Sequence, residues 1–274
     1  MIRVLDIALL IVLLGCSPMP AGKMSSGIPQ RIISLDYCAD QYVLKMVHRN
    51  NIRALSPDAP KAFSYMRESA KGIPKVRPQA EDILRLKPDL VIRSYGGGPN
   101  ANAFFKQAGI PVLNIGWAND IESIKRVTIE VANALGAPKK GRAIVKDIEK
   151  RLSQLPNIKE KKQALYMTPS GVTSGSGSLV HEMFLEAGLD NFQKTPGWQS
   201  LPLEQLAYTK PDVIAAAFFD TKSQNKDNWS TMRHPIAKSH LKFVLTINLD
   251  GSWTSCGAWY LVDAIEALAN GAKP

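Results

Sequence analysis

The sequence predicts an α/β fold of two Rossmann-like lobes, each built on a parallel sheet, joined by a single long α-helix. Three observations lead there. The stretch AEDILRLKPDLVI at residues 80–92 returns as LEQLAYTKPDVIA at residues 203–215, about one small domain later and far beyond the ~20–50-residue period of a solenoid. Short apolar runs alternate with helical patterns in both halves, the order that gives parallel strands. Between the halves, Pro138 to Leu155 carries Ile144, Ile148, Leu152 and Leu155 at helical spacing among many charges, long enough for a strut of ~25 Å at 1.5 Å per residue.

The elements follow in order. Residues 1–15 read as a signal peptide, with Arg3 ahead of a short apolar core at Ile7–Leu14 that falls well below the ~20 residues of a membrane span. Leu13-Leu14-Gly15-Cys16 resembles a bacterial lipobox, making Cys16 the expected acylated residue and new N-terminus. Residues 16–30, rich in Ser, Pro and Gly, read as a flexible tether. The first lobe occupies residues 31–136, with strands expected at 31–35, 90–92 and 111–115 and helices at 38–46, 101–108 and 121–135. The connecting helix lies within 137–157. The second lobe, residues 158–274, restarts with a strand at 163–167, a Gly/Ser-rich loop, a helix at 179–187, the repeated phrase with a strand at 213–218, a last strand at 243–247 and a closing helix at 258–269.

With 274 residues, 45% of them hydrophobic, the chain can bury a large core, which excludes a disordered protein. Removing residues 1–15 takes away one Arg and one Asp and leaves the net charge at +10. A basic surface favours anionic ligands or lipid head groups. The charges are dispersed, without basic-aromatic clustering or zinc-finger spacing, so nucleic acid is not an expected partner. Cys38 and Cys256 are the cysteines left after Cys16, and an exported compartment permits a disulfide between them. Whether they pair depends on geometry that the sequence leaves open.

In open parallel sheets, ligands bind beyond the carboxyl ends of the strands. The loops there hold Asp36, Tyr37, Ser94, Tyr95, Gly96–Gly98 and Trp117 in the first half. In the second half they hold Thr173–Ser176, Phe219, Asp220 and Trp253, with Trp198 just ahead of the repeated helix. Tyr37, Tyr95, Trp117, Trp198 and Trp253 are the expected ligand contacts, since large aromatics give wide apolar area with a polar handle. No catalytic residue, metal site or cofactor is assigned. The run at 175–178 lacks the Gly-Lys-Ser/Thr of a phosphate loop, and no G-x-S-x-G elbow occurs. His48, His181, His234 and His240 show no metal-ligand spacing.

RIISLDYCADQYVLKM, AEDILRLKPDLVI, TSGSGSL, GWQSLPLEQLAYTKPDVI and the terminal WTSCG together resemble the substrate-binding proteins of ABC importers for cobalamin, ferric siderophores and haem, across essentially the whole mature chain. The resemblance implies a ligand clamped in a cleft between the lobes, no catalysis, and a monomeric lipoprotein of the periplasm or cell surface, held on the membrane by its lipid. It further implies a metal chelate as ligand and the transmembrane subunits of an ABC permease as partner. In the cobalamin and siderophore binders an exposed Glu on each lobe docks against permease arginines, and Glu81 and Glu204 stand in the matching places. Trp198 matches a pocket-lining Trp of the cobalamin binders. Cys38 and Cys256 do not match the disulfide found within one lobe of some cobalamin binders. Both follow strand ends, where they would face the cleft. Two alternatives stay open: an enzyme on the same scaffold using Asp36, Asp220 or the histidines, and a receptor for a free transition-metal ion.

Overall fold

The computed structural model describes residues 27–158, 160–218 and 231–273. The expected signal peptide, Cys16, most of the tether, Phe219 and Asp220 lie outside the described residues.

The first lobe runs β1 (Ile32–Ser34), α1 (Tyr37–Met46), β2 (Ile52–Ala54), α2 (Ala80–Arg85), β3 (Leu90–Arg93), α3 (Ala101–Gln107) and β4 (Val112–Asn114), then α4 (Ile121–Ala134). Its four strands are parallel in the order β2-β1-β3-β4. α5 (Pro138–Ser153) connects to the second lobe. That lobe contains β5 (Gln163–Met167), β6 (Val172–Ser174), α6 (Leu179–Glu186), β7 (Asp190–Asn191), β8 (Trp198–Ser200), α7 (Leu203–Tyr208), β9 (Val213–Phe218), α8 (Pro235–Phe243), β10 (Leu245–Asp250) and α9 (Leu261–Gly271). The strands order as β10-β9-β5-β7, again parallel, while β6 and β8 form a separate antiparallel pair.

Both sheets are apolar on both faces, as parallel sheets covered by helices require. Ile32, Leu90 and Ile92 point inward with Val213, Ala215, Ile247 and Leu249 of the other sheet into one continuous core. Ile33, Leu35 and Val91 face a separate core under α2 and α3. Leu165, Met167, Ile214 and Ala216 face a third. The alternation follows from the two-residue period of a strand. α5 starts with Pro138 in its first turn, where the missing N–H costs nothing, and buries Ile144 and Ile148. A Cβ on Gly141 would sit 2.4 Å from the Ala132 side chain, so this glycine lets α5 lie close against α4.

The repeated phrase builds the same device twice. Each six-residue helix, α2 or α7, buries one residue, Ile83 or Leu206. The Asp of each Lys-Pro-Asp then turns back to the first strand of its lobe. Asp89 accepts from the backbone N–H of Gln30 at 3.0 Å and Arg31 at 2.8 Å. Asp212 accepts from Gln163 N at 2.8 Å.

The structure departs from expectation at short elements. β2, β7 and the β6/β8 pair are two or three residues long, too short for an alternation to show. The last strand starts at Leu245 instead of Phe243 because α8, begun by Pro235 with the His234 ring accepting from Ile236 N, continues through Phe243. Among the described residues no helix is long and apolar enough to cross a membrane.

Candidate functional site

A cavity of about 330 Å³ opens between the lobes at the carboxyl ends of both sheets. From the first lobe it is lined by the start of α1 (Tyr37, Cys38), the loop after β3 (Ser94, Tyr95) and the loop after β4 (Gly116–Asn119). The second lobe contributes the start of α6 (Gly177–Val180), Trp198 and residues Thr254–Gly257. A second chamber of similar volume shares Tyr37, Trp198, Thr254 and Ser255 and adds Phe63, Tyr166 and Thr168. The described residues lining both chambers include no Lys, Arg, His, Asp or Glu. The walls offer rings, hydroxyls and amides.

The first-lobe wall hangs on Asp36. This residue is 2% exposed. Its Oδ1 caps α1 by accepting from Ala39 N at 2.9 Å, the usual service of an Asp N-cap. Its Oδ2 accepts from the backbone N–H groups of Ser94, Tyr95 and Gly96 at 2.7, 3.0 and 2.9 Å. A buried carboxylate collecting four charge-assisted hydrogen bonds fixes the loop that presents Tyr95. Gly96 is required there, since a Cβ would lie 2.3 Å from the Leu35 carbonyl oxygen. Arg93 supports the same loop, donating to Tyr95 O at 3.0 Å and to Asn102 Oδ1 at 3.3 Å. Tyr37 and Tyr95 meet edge to face at 5.9 Å. The pKa of each phenol is raised, first by burial and then by negative neighbours, with Asp36 among those acting on both, so both remain protonated at neutral pH.

On the second lobe the loops around α6 and ahead of Trp198 are held by neutral groups. Ser178 caps α6, accepting from His181 N and donating to Gly175 O at 2.7 Å. Asn191 donates to Ser174 O at 2.8 Å and accepts from Gln193 N at 3.0 Å. A Cβ on Gly175 would fall 1.9 Å from the Thr195 carbonyl oxygen, which explains a glycine in the Gly/Ser run without a phosphate.

Of the five expected ligand contacts, four line the cavity: Tyr37, Tyr95, Trp117 and Trp198. Trp117 is 81% exposed and Trp198 60%. The fifth, Trp253, is partly buried against the hydrophobic core and does not border this cavity, which its neighbours Thr254–Gly257 line. Cys38 and Cys256 are joined in a disulfide between the lobes, 218 residues apart in sequence, and both line the cavity. Glu81 and Glu204 each stand exposed in the first turn of a six-residue helix. Neither forms an ion pair among the described residues, whereas the adjacent Asp82 binds Arg77. A helix leading into a parallel strand begins at the carboxyl end of the sheet, so both glutamates sit on the cleft side of the molecule. The histidines are engaged elsewhere: His48 and His234 accept from backbone N–H groups, and His181 and His240 bond Asn191 and Leu206 O. No cluster of metal-ligating residues occurs among the described residues. Sequence reading missed Asp36 as the loop clamp and missed Phe63 and Tyr166 as cavity walls. An Asp directly after a first strand was the available signal for Asp36, whereas Phe63 lies in an irregular stretch with none.

A family model for periplasmic binding protein matches residues 43–239. An ABC transporter substrate-binding lipoprotein of Bacillus subtilis (strain 168), YvrC, is 24% identical over 209 residues, 71% of this chain and 65% of the relative. A probable siderophore-binding lipoprotein of the same organism, YfiY, is 24% identical over 221 residues, covering 75% and 62%. The chain therefore spans just under two thirds of the length of each curated relative. Among solved structures, the periplasmic haem-binding protein HutB of Vibrio cholerae superposes with a TM-score of 0.72 at 15% identity, covering 89% of this chain and 99% of that one. At that identity the likeness speaks for the fold.

Proposed function

The chain belongs to the periplasmic binding protein family, and from that premise we propose that it is the extracytoplasmic receptor of an ABC importer. It captures a metal chelate of the ferric-siderophore, haem or cobalamin class between its lobes and presents it to the permease. The observation that carries this reading is the cleft itself. Tyr37, Tyr95 and Trp117 on one lobe and Trp198 on the other surround a cavity walled by uncharged groups. Leaving two indoles as exposed as Trp117 and Trp198 in a concave site is costly unless a ligand covers them. Broad ring faces suit a bulky chelate, and the hydroxyls and amides orient it. The curated relatives' names point the same way.

Glu81 and Glu204 are assigned as handles for the permease, because the repeated phrase presents each on a like mount, exposed and without an ion pair among the described residues. Cys16 is assigned as the lipid anchor of a receptor that works as a monomer on the outer side of a membrane. The reading gives the protein no chemical step to perform. The test adds haemin, cyanocobalamin and a ferric siderophore separately to the purified chain, following visible absorbance and native mass. Saturable one-to-one binding of one of them supports the assignment. Turnover of the added compound would favour an enzyme instead, and no saturable binding to any would defeat the proposal.

A further inference from the structure

One wall of the cavity is a seam where the two lobes touch through consecutive residues. The Tyr37 hydroxyl donates to Ser255 O at 3.3 Å, Cys38 is bonded to Cys256, and Gly257 lies so close to the loop after β4 that a Cβ would approach Ala118 O to 2.7 Å. All six residues border the cavity. The hydrogen bond is long and the Gly257 contact is van der Waals, so the covalent bond is the strong element of the seam. On either side of it the lobes also touch: Tyr65 donates to Asp263 at 2.7 Å and stacks on Tyr260 at 4.3 Å, Trp259 meets Tyr42 edge to face at 5.1 Å, and Arg67 pairs with Asp250 at 3.8 Å, so both ends of the segment are anchored and the disulfide is the covalent tie at its middle, where it borders the cavity.

We propose that the Cys38–Cys256 disulfide is a positioning element of the ligand site: it holds Thr254–Gly257 against the first lobe, sets the width of the cleft, and makes ligand affinity depend on its redox state. The inference rests on the receptor reading for the word ligand, though not for the movement of the wall. Both cysteines are half-buried and border the cavity, so a small dithiol can reach them. A thiolate of the dithiol attacks one sulfur, the Cys38–Cys256 bond breaks, and a mixed disulfide forms. The second thiol of the reductant then displaces the cysteine. Two electrons and two protons end on Cys38 and Cys256 as thiols, and the reductant leaves as its own disulfide. With the tie cut, Thr254–Gly257 is held to the first lobe mainly through its flanks, at Asp250 and at Trp259–Tyr260, and Tyr37 loses the fixed position of its Ser255 acceptor.

The experiment compares three forms of the full chain: oxidised, reduced with dithiothreitol, and the Cys38→Ser/Cys256→Ser variant. Amide hydrogen exchange is read on peptides covering 252–260, and haemin and cyanocobalamin are titrated into each form. Exchange in 252–260 is expected to accelerate at least tenfold in both tie-free forms while peptides from β9 stay unchanged, and the affinity of whichever probe binds is expected to shift at least fivefold. Equal exchange and equal affinity in all three forms would overturn the proposal. Should neither probe bind any form, a ferric siderophore is titrated in their place; the receptor reading fails if it too is not bound, while the exchange result still decides the role of the tie. If the serine variant does not fold, the reduced wild-type chain, checked for a cooperative thermal transition, gives the same answer.

Discussion

The two lobes share a frame but not a wall. On the first lobe the loops that meet the cleft are fixed by carboxylates buried at the start of α1. Asp36 gathers four backbone N–H groups, and Asp40, one turn on and fully buried, accepts from Ser56 N and Ser56 Oγ. On the second lobe neutral groups hold the loops ahead of α6 and Trp198, while the turn that leads to Thr254–Gly257 is capped by the part-exposed Asp250. Thr168, just after the first strand, exchanges hydrogen bonds with Val172, and Asn191 with Gln193 organises the loop ahead of Trp198. Away from the cleft the lobes agree, down to the buried residue of each short helix and the Asp that closes on the first strand. Repetition thus specifies the mount, while each cleft wall has its own chemistry, one gathered on buried carboxylates and one on neutral groups with a part-exposed Asp250.

Breaking the charged wall is expected to have the largest effect. Asp36→Ala leaves three loop N–H groups and a helix start without their acceptor, and should cost about 3 kcal/mol of folding free energy. Thr168→Ala, its neutral counterpart, should cost about 1 kcal/mol. Urea denaturation of the two variants measures the asymmetry directly, and equal losses would erase it.

The buried acids also predict that the first lobe titrates. Burial pushes the Asp40 carboxyl up to about 7, against hydrogen bonds from Ser56 that lower it. The native state therefore keeps a proton that the unfolded chain releases near pH 4, so this residue favours folding at low pH and the contribution is lost as pH rises from about 4 to about 7. Asp40→Asn can still bond Ser56 and carries no charge. It should flatten that slope and stabilise the fold at pH 8, by up to about 4 kcal/mol, with a raised melting temperature. Thermal melts of both chains between pH 4 and pH 8 check the sign.

The repeated mount gives a finer comparison. Asp89 accepts two backbone N–H groups and Asp212 one, so Asp89→Ala should cost about 2 kcal/mol and Asp212→Ala about 1 kcal/mol. Smallest of all, Glu81→Ala and Glu204→Ala should each change stability by less than about 0.5 kcal/mol. Denaturation midpoints rank all four.

Much of this frame was legible in the sequence because its signals are local or repeated. Apolar runs such as Leu90–Ile92 and Val213–Ala217 announce strands covered on both faces, and Lys-Pro-Asp marks where each helix must stop. The cleft was legible only in part. Position after a strand end pointed to Tyr37, Tyr95 and Trp117, which border the cavity, and to Trp253, which lies in a short 3-10 turn at Gly251–Thr254 and packs partly buried against the core. The tie between Cys38 and Cys256 joins residues 218 apart, and no local pattern encodes such a distance. Asp36 looked like a contact residue and proved to be a clamp, since its partners at 94–96 arrive through tertiary packing.

The proposed function implies a division of labour, in which the aromatic cleft binds and the repeated helices present handles that binding does not use. The most direct test measures the affinity of the captured chelate for the Trp117→Ala/Trp198→Ala chain and for the Glu81→Ala/Glu204→Ala chain beside the wild type. The account predicts at least a tenfold loss for the tryptophan variant and an unchanged affinity for the glutamate variant. A tryptophan variant that binds like the wild type, or a glutamate variant that loses the chelate, would contradict it.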